Sequence, residues 1–212
     1  MDNLFKNRRL SLSQFNAVIG VVMLEGILLS ALIATVFGGF FKTWNPIVLV
    51  IVYLIVSIVG AVIAKRSDRP AMSLLGYNLI VAPAGAVLSV ILDGEKSQTV
   101  VHALVITAFV ALAMIIAAQF KPNLFLKLGR ALGFALIAVI IVEIVALIAG
   151  ITTWSWWNVI VAGIFALYIG YDWSRAQNSE LTTDGAIDAC VDLYIDLFNL
   201  FLRLLSVLDD DR

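Results

Sequence analysis

Apolar residues along this chain fall into seven long blocks separated by short polar ones. The blocks run from about Phe15 to Phe41, Pro46 to Ala64, Ala71 to Leu92, Thr99 to Phe120, Ala131 to Gly150, Trp154 to about Tyr171, and about Gly185 to Leu208. A helix rises ~1.5 Å per residue, so about 20 mainly apolar residues cross a hydrocarbon layer roughly 30 Å thick. Each block is thus predicted to be one transmembrane helix, and residues 1–212 a single all-α, polytopic, seven-helix transmembrane domain. The connections KTWN, KRSDRP, DGEKSQ, KPNLFLKLGR, ITT and SRAQNSELTTDG carry turn and cap chemistry. Asn45 followed by Pro46 predicts an N-cap and a first-turn proline. Pro83 predicts a kink in the third span. Gly60 with Ala64, and Ala131 with Ala135, predict small-residue faces for close helix packing.

Composition removes most soluble alternatives. The 212 residues are 62% hydrophobic and 14% charged, with a mean hydropathy of +1.02, whereas soluble domains are roughly half apolar and a quarter charged. One Cys excludes an internal disulfide, one His excludes a histidine metal site, and a net charge of −1 gives no footprint for nucleic acid. The first block is far longer than a signal-peptide core and has no clean A-x-A cleavage site, so it is expected to be retained. With the N-terminus cytoplasmic, that side holds ten basic residues: Lys6, Arg8, Arg9, Lys65, Arg66, Arg69, Lys121, Lys127, Arg130 and Arg175. The other side holds three, Lys42, Lys96 and Arg212. This bias predicts an internal N-terminus and an external C-terminus. Trp44, Trp154, Trp156 and Trp157 then fall at the outer interface, and Asp209, Asp210 and Asp211 form a solvated acidic tail. Short tails and loops point to a bacterial plasma membrane. Oligomeric state is not fixed by the pattern, and a monomer suffices.

Charges inside spans require a reason, since a carboxylate at mid-bilayer costs on the order of 2.5 to 3.5 kcal/mol. Glu25 and Glu143 lie mid-span in the first and fifth blocks. In the last block Asp188, Asp192, Asp196, Asn199 and Arg203 follow at steps of four, four, three and four, which stacks them on one helix face. That stripe is expected to face protein or water, with the last helix central, surrounded by the other six, and its acids lining a pathway together with Glu25, Glu143 and Asn199. Asp172 ends the sixth block, where the returning seventh helix brings its own acids past it. Two carboxylates within a few Å cannot both ionise without a large penalty, so such a pair shares a proton and acts as a proton-sensitive latch.

The sixth-span ending FALYIGYDWSR and the last helix DLYIDLFNLFLRLLSVL resemble the Bax inhibitor-1 family, the transmembrane Bax inhibitor motif proteins, in a prokaryotic form. The motif match covers about the last fifty residues, and the seven-span layout fits the whole chain. The resemblance implies a pH-sensitive calcium leak channel in which Asp172 and Asp196 form a di-aspartyl proton sensor between helices six and seven. It also implies a basic gating partner at the cytoplasmic end of the second span. Arg66 matches best, with Lys65 and Arg69 as neighbours that leave the assignment open. By depth alone Asp192 would reach Asp172 more easily than Asp196 does.

The expected mechanism has two states. With a proton shared between Asp172 and Asp196 the mouth is shut; with both ionised, repulsion parts the helices and the carboxylates offer hard oxygen ligands to Ca²⁺. Calcium ions, protons and lipids are the expected partners, calcium being the permeant or transiently bound ion, with no cofactor and no enzyme activity. A presenilin-type protease would need G-x-G-D in the next helix, where Y-I-D stands, and a rhomboid-type protease would need the absent G-x-S-G. Two other classes fit the sequence: a proton-coupled transporter relaying through Glu25, Glu143 and Asp196, and a non-conducting membrane regulator of cell death or proteolysis.

Overall fold

The computed structural model describes residues 8–151 and 155–210, with side chains to Asp209. Lys6, Trp154, Asp211 and Arg212, used above for orientation, the aromatic belt and the tail, lie outside the described residues, as does the Asp210 side chain. Among the described residues the chain forms eight helices and no strand: α1 (Leu12–Val36), α2 (Gly38–Phe41), α3 (Pro46–Arg66), α4 (Pro70–Ile91), α5 (Ser97–Phe120), α6 (Pro122–Ala149), α7 (Ser155–Gln177) and α8 (Thr183–Asp210). Five of these, α1, α3, α4, α5 and α6, are long and apolar enough to cross a membrane. Their outward faces carry Phe109, Phe120, Leu147 and Ile148 largely exposed, which water would not tolerate and lipid does. The protein is an all-helical, multi-pass integral membrane protein.

Local chemistry sets the helix ends. Ser11 and Gln14 close a reciprocal capping box at the start of α1. The Asn45 side chain accepts from the backbone N–H of Ile47 at 2.9 Å, with Pro46 in the first turn of α3, as the sequence predicts. Gly150 ends α6 in the left-handed region at φ 65°. Three boundaries differ from the apolar blocks. The first block is broken at Phe37, where φ −103° and ψ 4° interrupt the helix before Gly38 and Gly39, both poor helix formers. KPNLFLKLGR is not a connection: α6 starts at Pro122, and this segment is about two and a half amphipathic turns that bury Phe125 and expose Lys127 and Arg130. Likewise α7 continues past Asp172 to Gln177, burying Trp173 and Ala176. An apolar ruler measures hydrocarbon thickness, and helices run on beyond it wherever one face can still be buried.

Contacts divide the chain into two compact units, one of residues 1–95 with 176–194, the other of residues 96–175 with 195–212. In the first unit α1, α3 and α4 pack closely. Gly60 and Ala64 of α3 face Gly76 of α4, where a Cβ on Gly60 would stand 2.5 Å from the Gly76 carbonyl oxygen. A Cβ on Gly85 of α4 would stand 2.6 Å from the Ser30 carbonyl oxygen of α1. Helix α4 runs unbroken through Pro83. The opening half of α8 belongs here: the Cys190 thiol lies against the Ile19 carbonyl, and Tyr194 meets Tyr77 edge-on at 5.7 Å. An antiparallel bridge between Arg9 and Thr182, with the Leu10 N–H donating to Leu181 O at 2.7 Å, ties down the loop before α8.

In the second unit α5 buries Thr99, Ala103, Thr107 and Ala111, a four-residue repeat along one edge, while α6 buries Phe125, Leu132 and Val139 at steps of seven. Phe125 and Tyr171 lie over Gly170 and Gly129 respectively, positions where no side chain stands in the way. Ala131 is exposed and Ala135 only half-buried, so this second small-residue pair does not form a buried seam.

Candidate functional site

The polar face of α8 is shared between the two units. Its first three acids lie in the first unit. Asp184 is buried and accepts from the Ser73 hydroxyl of α4 at 2.7 Å. Asp192 accepts from the Lys65 ammonium of α3 at 2.5 Å. Asp188 lies between them, within electrostatic reach of Asp184, Lys65, Asp192 and Asp68. Deeper in the same unit Glu25 of α1 faces Asn78 of α4.

The second unit holds Asp172 and Asp196, which are 7% and 5% exposed. Both act electrostatically on one phenol, that of Tyr168, one turn before Asp172 on α7. Asp172 also pairs with Arg175 at 3.0 Å, across one turn of its own helix. The Arg175 guanidinium sits 5.5 Å from the centre of the Tyr171 ring. Further along α8, Arg203 pairs with Glu143 of α6 at 2.6 Å and donates to the Asn158 side chain of α7 at 3.1 Å. Asn158 in turn donates to Ser206 at 3.0 Å. Asn199 folds back on its own helix and donates to the Ile195 carbonyl at 2.8 Å.

The sequence model of a protein family described as Inhibitor of apoptosis-promoting Bax1 matches residues 15–212. The chain belongs to this Bax inhibitor-1 family. Two uncharacterized proteins of Helicobacter pylori, from two strains, are similar to it. One is 28% identical over 204 residues, covering 94% of this chain and 76% of the relative. The other is 28% identical over 162 residues, covering 73% and 67%. Both are consistent with a prokaryotic branch of the Bax inhibitor-1 family.

Of the residues expected to act in a Bax inhibitor-1 protein, Asp172 and Asp196 fall in one unit, both within electrostatic reach of Tyr168. Asp192, nearer by depth, is instead engaged by Lys65. The extension of α7 by about a turn and a half beyond Asp172 sets Asp172 back from the helix end and narrows the depth offset from Asp196 without closing it, since α8 starts at Thr183. Arg66 is exposed and makes no ion pair among the described residues; Lys65, its neighbour, is the residue at the end of α3 that meets an α8 acid. Among the described residues no group of three or more His, Cys, Asp or Glu side chains could hold a metal ion. The two carboxylates alone fall short of the six to eight oxygens of a resident Ca²⁺ site. Two partners went unread in the sequence although the signal was there: Arg175 follows Asp172 by three, and Tyr168 precedes it by four. The Ser73 partner of Asp184, 111 residues away, left no such trace.

Proposed function

We propose that this Bax inhibitor-1 protein is a pH-sensitive calcium leak channel gated by Asp172 and Asp196. In this reading α1, α3, α4, α5, α6, α7 and α8 are seven crossings, with α8 central and the N-terminus on the cytoplasmic side of a bacterial plasma membrane. Helices α7 and α8, at 23 and 28 residues, have the length to span, and their charges are tolerable only when shielded by protein or water. The observation that carries the reading is the pair of buried carboxylates, one on each helix, acting on the same Tyr168 phenol.

A proton shared by the pair holds α7 to α8 and closes the pathway. Loss of that proton leaves two anions in a low-dielectric setting, where repulsion parts the helices. The exposed oxygens then serve as transient ligands for a passing Ca²⁺, a hard cation that selects oxygen. Arg175 supplies the counter-charge that keeps Asp172 ionisable, and Arg66, Lys65 and Arg69 remain the basic groups of α3 and its following turn available to the open state.

Calcium uptake into proteoliposomes, followed from pH 5 to 8, tests this. Flux should change across the range in the wild type and lose its pH dependence in Asp172→Asn and Asp196→Asn; an unaltered profile in both variants refutes the assignment. The family description, which names inhibition, supports a second reading as a non-conducting membrane regulator. That reading is favoured if biological activity survives neutralisation of Glu25, Glu143, Asp172, Asp192 and Asp196 together.

A further inference from the structure

A groove of about 670 Å³ opens between α6 and α7 in the second unit, lined by Leu126, Lys127, Gly129, Arg130, Ala131, Phe134 and Tyr171. Its lining holds two cations and no acid. The nearest carboxylate beside it in sequence, Asp172, is buried and already paired with Arg175. Lys127, Arg130 and Phe134 follow at steps of three and four, so one helix face carries the charges near the start of α6 and the exposed apolar residues one turn further on. Phe134 is 68% exposed, on a helix apolar enough to span. One end of the groove is therefore cationic and wet, and the other apolar and turned to hydrocarbon.

We propose that this groove binds the phosphate of an anionic phospholipid, with Lys127 and Arg130 on the headgroup and Leu126, Ala131 and Phe134 against the acyl chains. Basic pockets between helices at a membrane surface select anionic headgroups, each Lys or Arg adding to the attraction, and the apolar end favours a lipid over free phosphate. Tyr171 forms the back wall, seated on Gly129, with Arg175 over its ring. Within the channel reading, on which this last step rests, that arrangement joins the lipid to the gate: a headgroup phosphate competes with Asp172 for Arg175.

Native mass spectrometry of the full chain released from nanodiscs of phosphatidylcholine with phosphatidylglycerol tests the site without reference to calcium. The wild type should retain phosphatidylglycerol. Lys127→Gln combined with Arg130→Gln should weaken retention about 30-fold, and Ala131→Trp, which fills the groove and keeps every charge, should also displace the lipid. Lys121→Gln, outside the groove, should leave retention unchanged. Equal retention in the double variant and the wild type overturns the proposal, as does displacement of the lipid by millimolar inorganic phosphate. Calcium flux in liposomes with and without phosphatidylglycerol separates the two readings: retained lipid with no effect on flux removes the coupling to the gate and leaves the site.

Discussion

Arg203 of α8 and Glu143 of α6 meet at 2.6 Å, both within segments that sequence alone marks as membrane spans. Either charge alone would be a liability there, whereas together, with Asn158 taking a second guanidinium N–H, they neutralise one another. Truncating one partner strands the other, and a stranded charge at mid-span costs on the order of 2.5 to 3.5 kcal/mol. Glu143→Gln and Arg203→Gln should therefore each lower stability more than their combination does, with a coupling of about 1 to 3 kcal/mol. Thermal unfolding of the three variants in nanodiscs measures this, and strictly additive losses would show that the pair contributes nothing.

The Asp172 and Arg175 pair, at 3.0 Å, gives the proton latch a tuning residue. An opposite charge favours the ionised carboxylate, so its removal lets Asp172 keep a proton to higher pH than in the wild type. The sign follows: in Arg175→Gln the midpoint of pH-dependent calcium flux should move upward, and Arg175→Lys should restore most of it. A midpoint that stays put in Arg175→Gln would separate this guanidinium from the gate.

Sequence pattern carried the helices well because hydrocarbon imposes a length and a composition that few residues can disguise. It failed where helices leave the hydrocarbon. The start of α6 at Pro122 and the end of α7 at Gln177 are amphipathic rather than apolar, and read as loops on a hydropathy ruler. The α8 stripe was legible from its spacing of fours and threes. The partners that divide the stripe were not: Lys65 for Asp192, Ser73 for Asp184 and Glu143 for Arg203 are each set by packing of distant segments, and no periodicity within one helix encodes its neighbour. Arg175 lay within reach of local reasoning, since it sits on the same face as Asp172 one turn later.

Lys65 and Arg66 stand side by side at the end of α3 and do different things. Lys65 bonds Asp192, while Arg66 is exposed and unpaired among the described residues. Both members of the lysine pair are partly exposed, so its worth is small, about 0.2 to 1 kcal/mol. Lys65→Gln should lower the unfolding temperature slightly, and Arg66→Gln should not. In flux measurements the order is expected to reverse if Arg66 engages the gate only in the open state. The two single variants, each assayed for melting and for flux, therefore assign the basic partner that spacing left open among three residues.

The α3 and α4 seam rests on two glycines that each occupy the space the other would need. A Cβ on Gly60 would stand 2.5 Å from the Gly76 carbonyl oxygen and 2.9 Å from Leu79 Cβ; one on Gly76 would stand 2.6 Å from the Ala64 nitrogen. These neighbours are backbone or first side-chain carbons with no rotamer to retreat into, so the helices themselves must separate. Overpacking of this kind costs about 1 to 3 kcal/mol. Gly60→Ala and Gly76→Ala should each destabilise the protein by that amount. Gly20→Ala in α1, where nothing lies within 4 Å, should be neutral or stabilising by about 0.5 to 1 kcal/mol, because alanine loses less backbone freedom in a helix. Because Lys65 continues the same helix beyond Gly60 and Ala64, a wider seam would also carry its ammonium away from Asp192, so Gly60→Ala should reproduce part of the Lys65→Gln phenotype. Melting curves for the three alanine variants, together with a Gly60→Ala, Lys65→Gln double variant, test the connection: losses that simply add would show that the seam does not position Lys65.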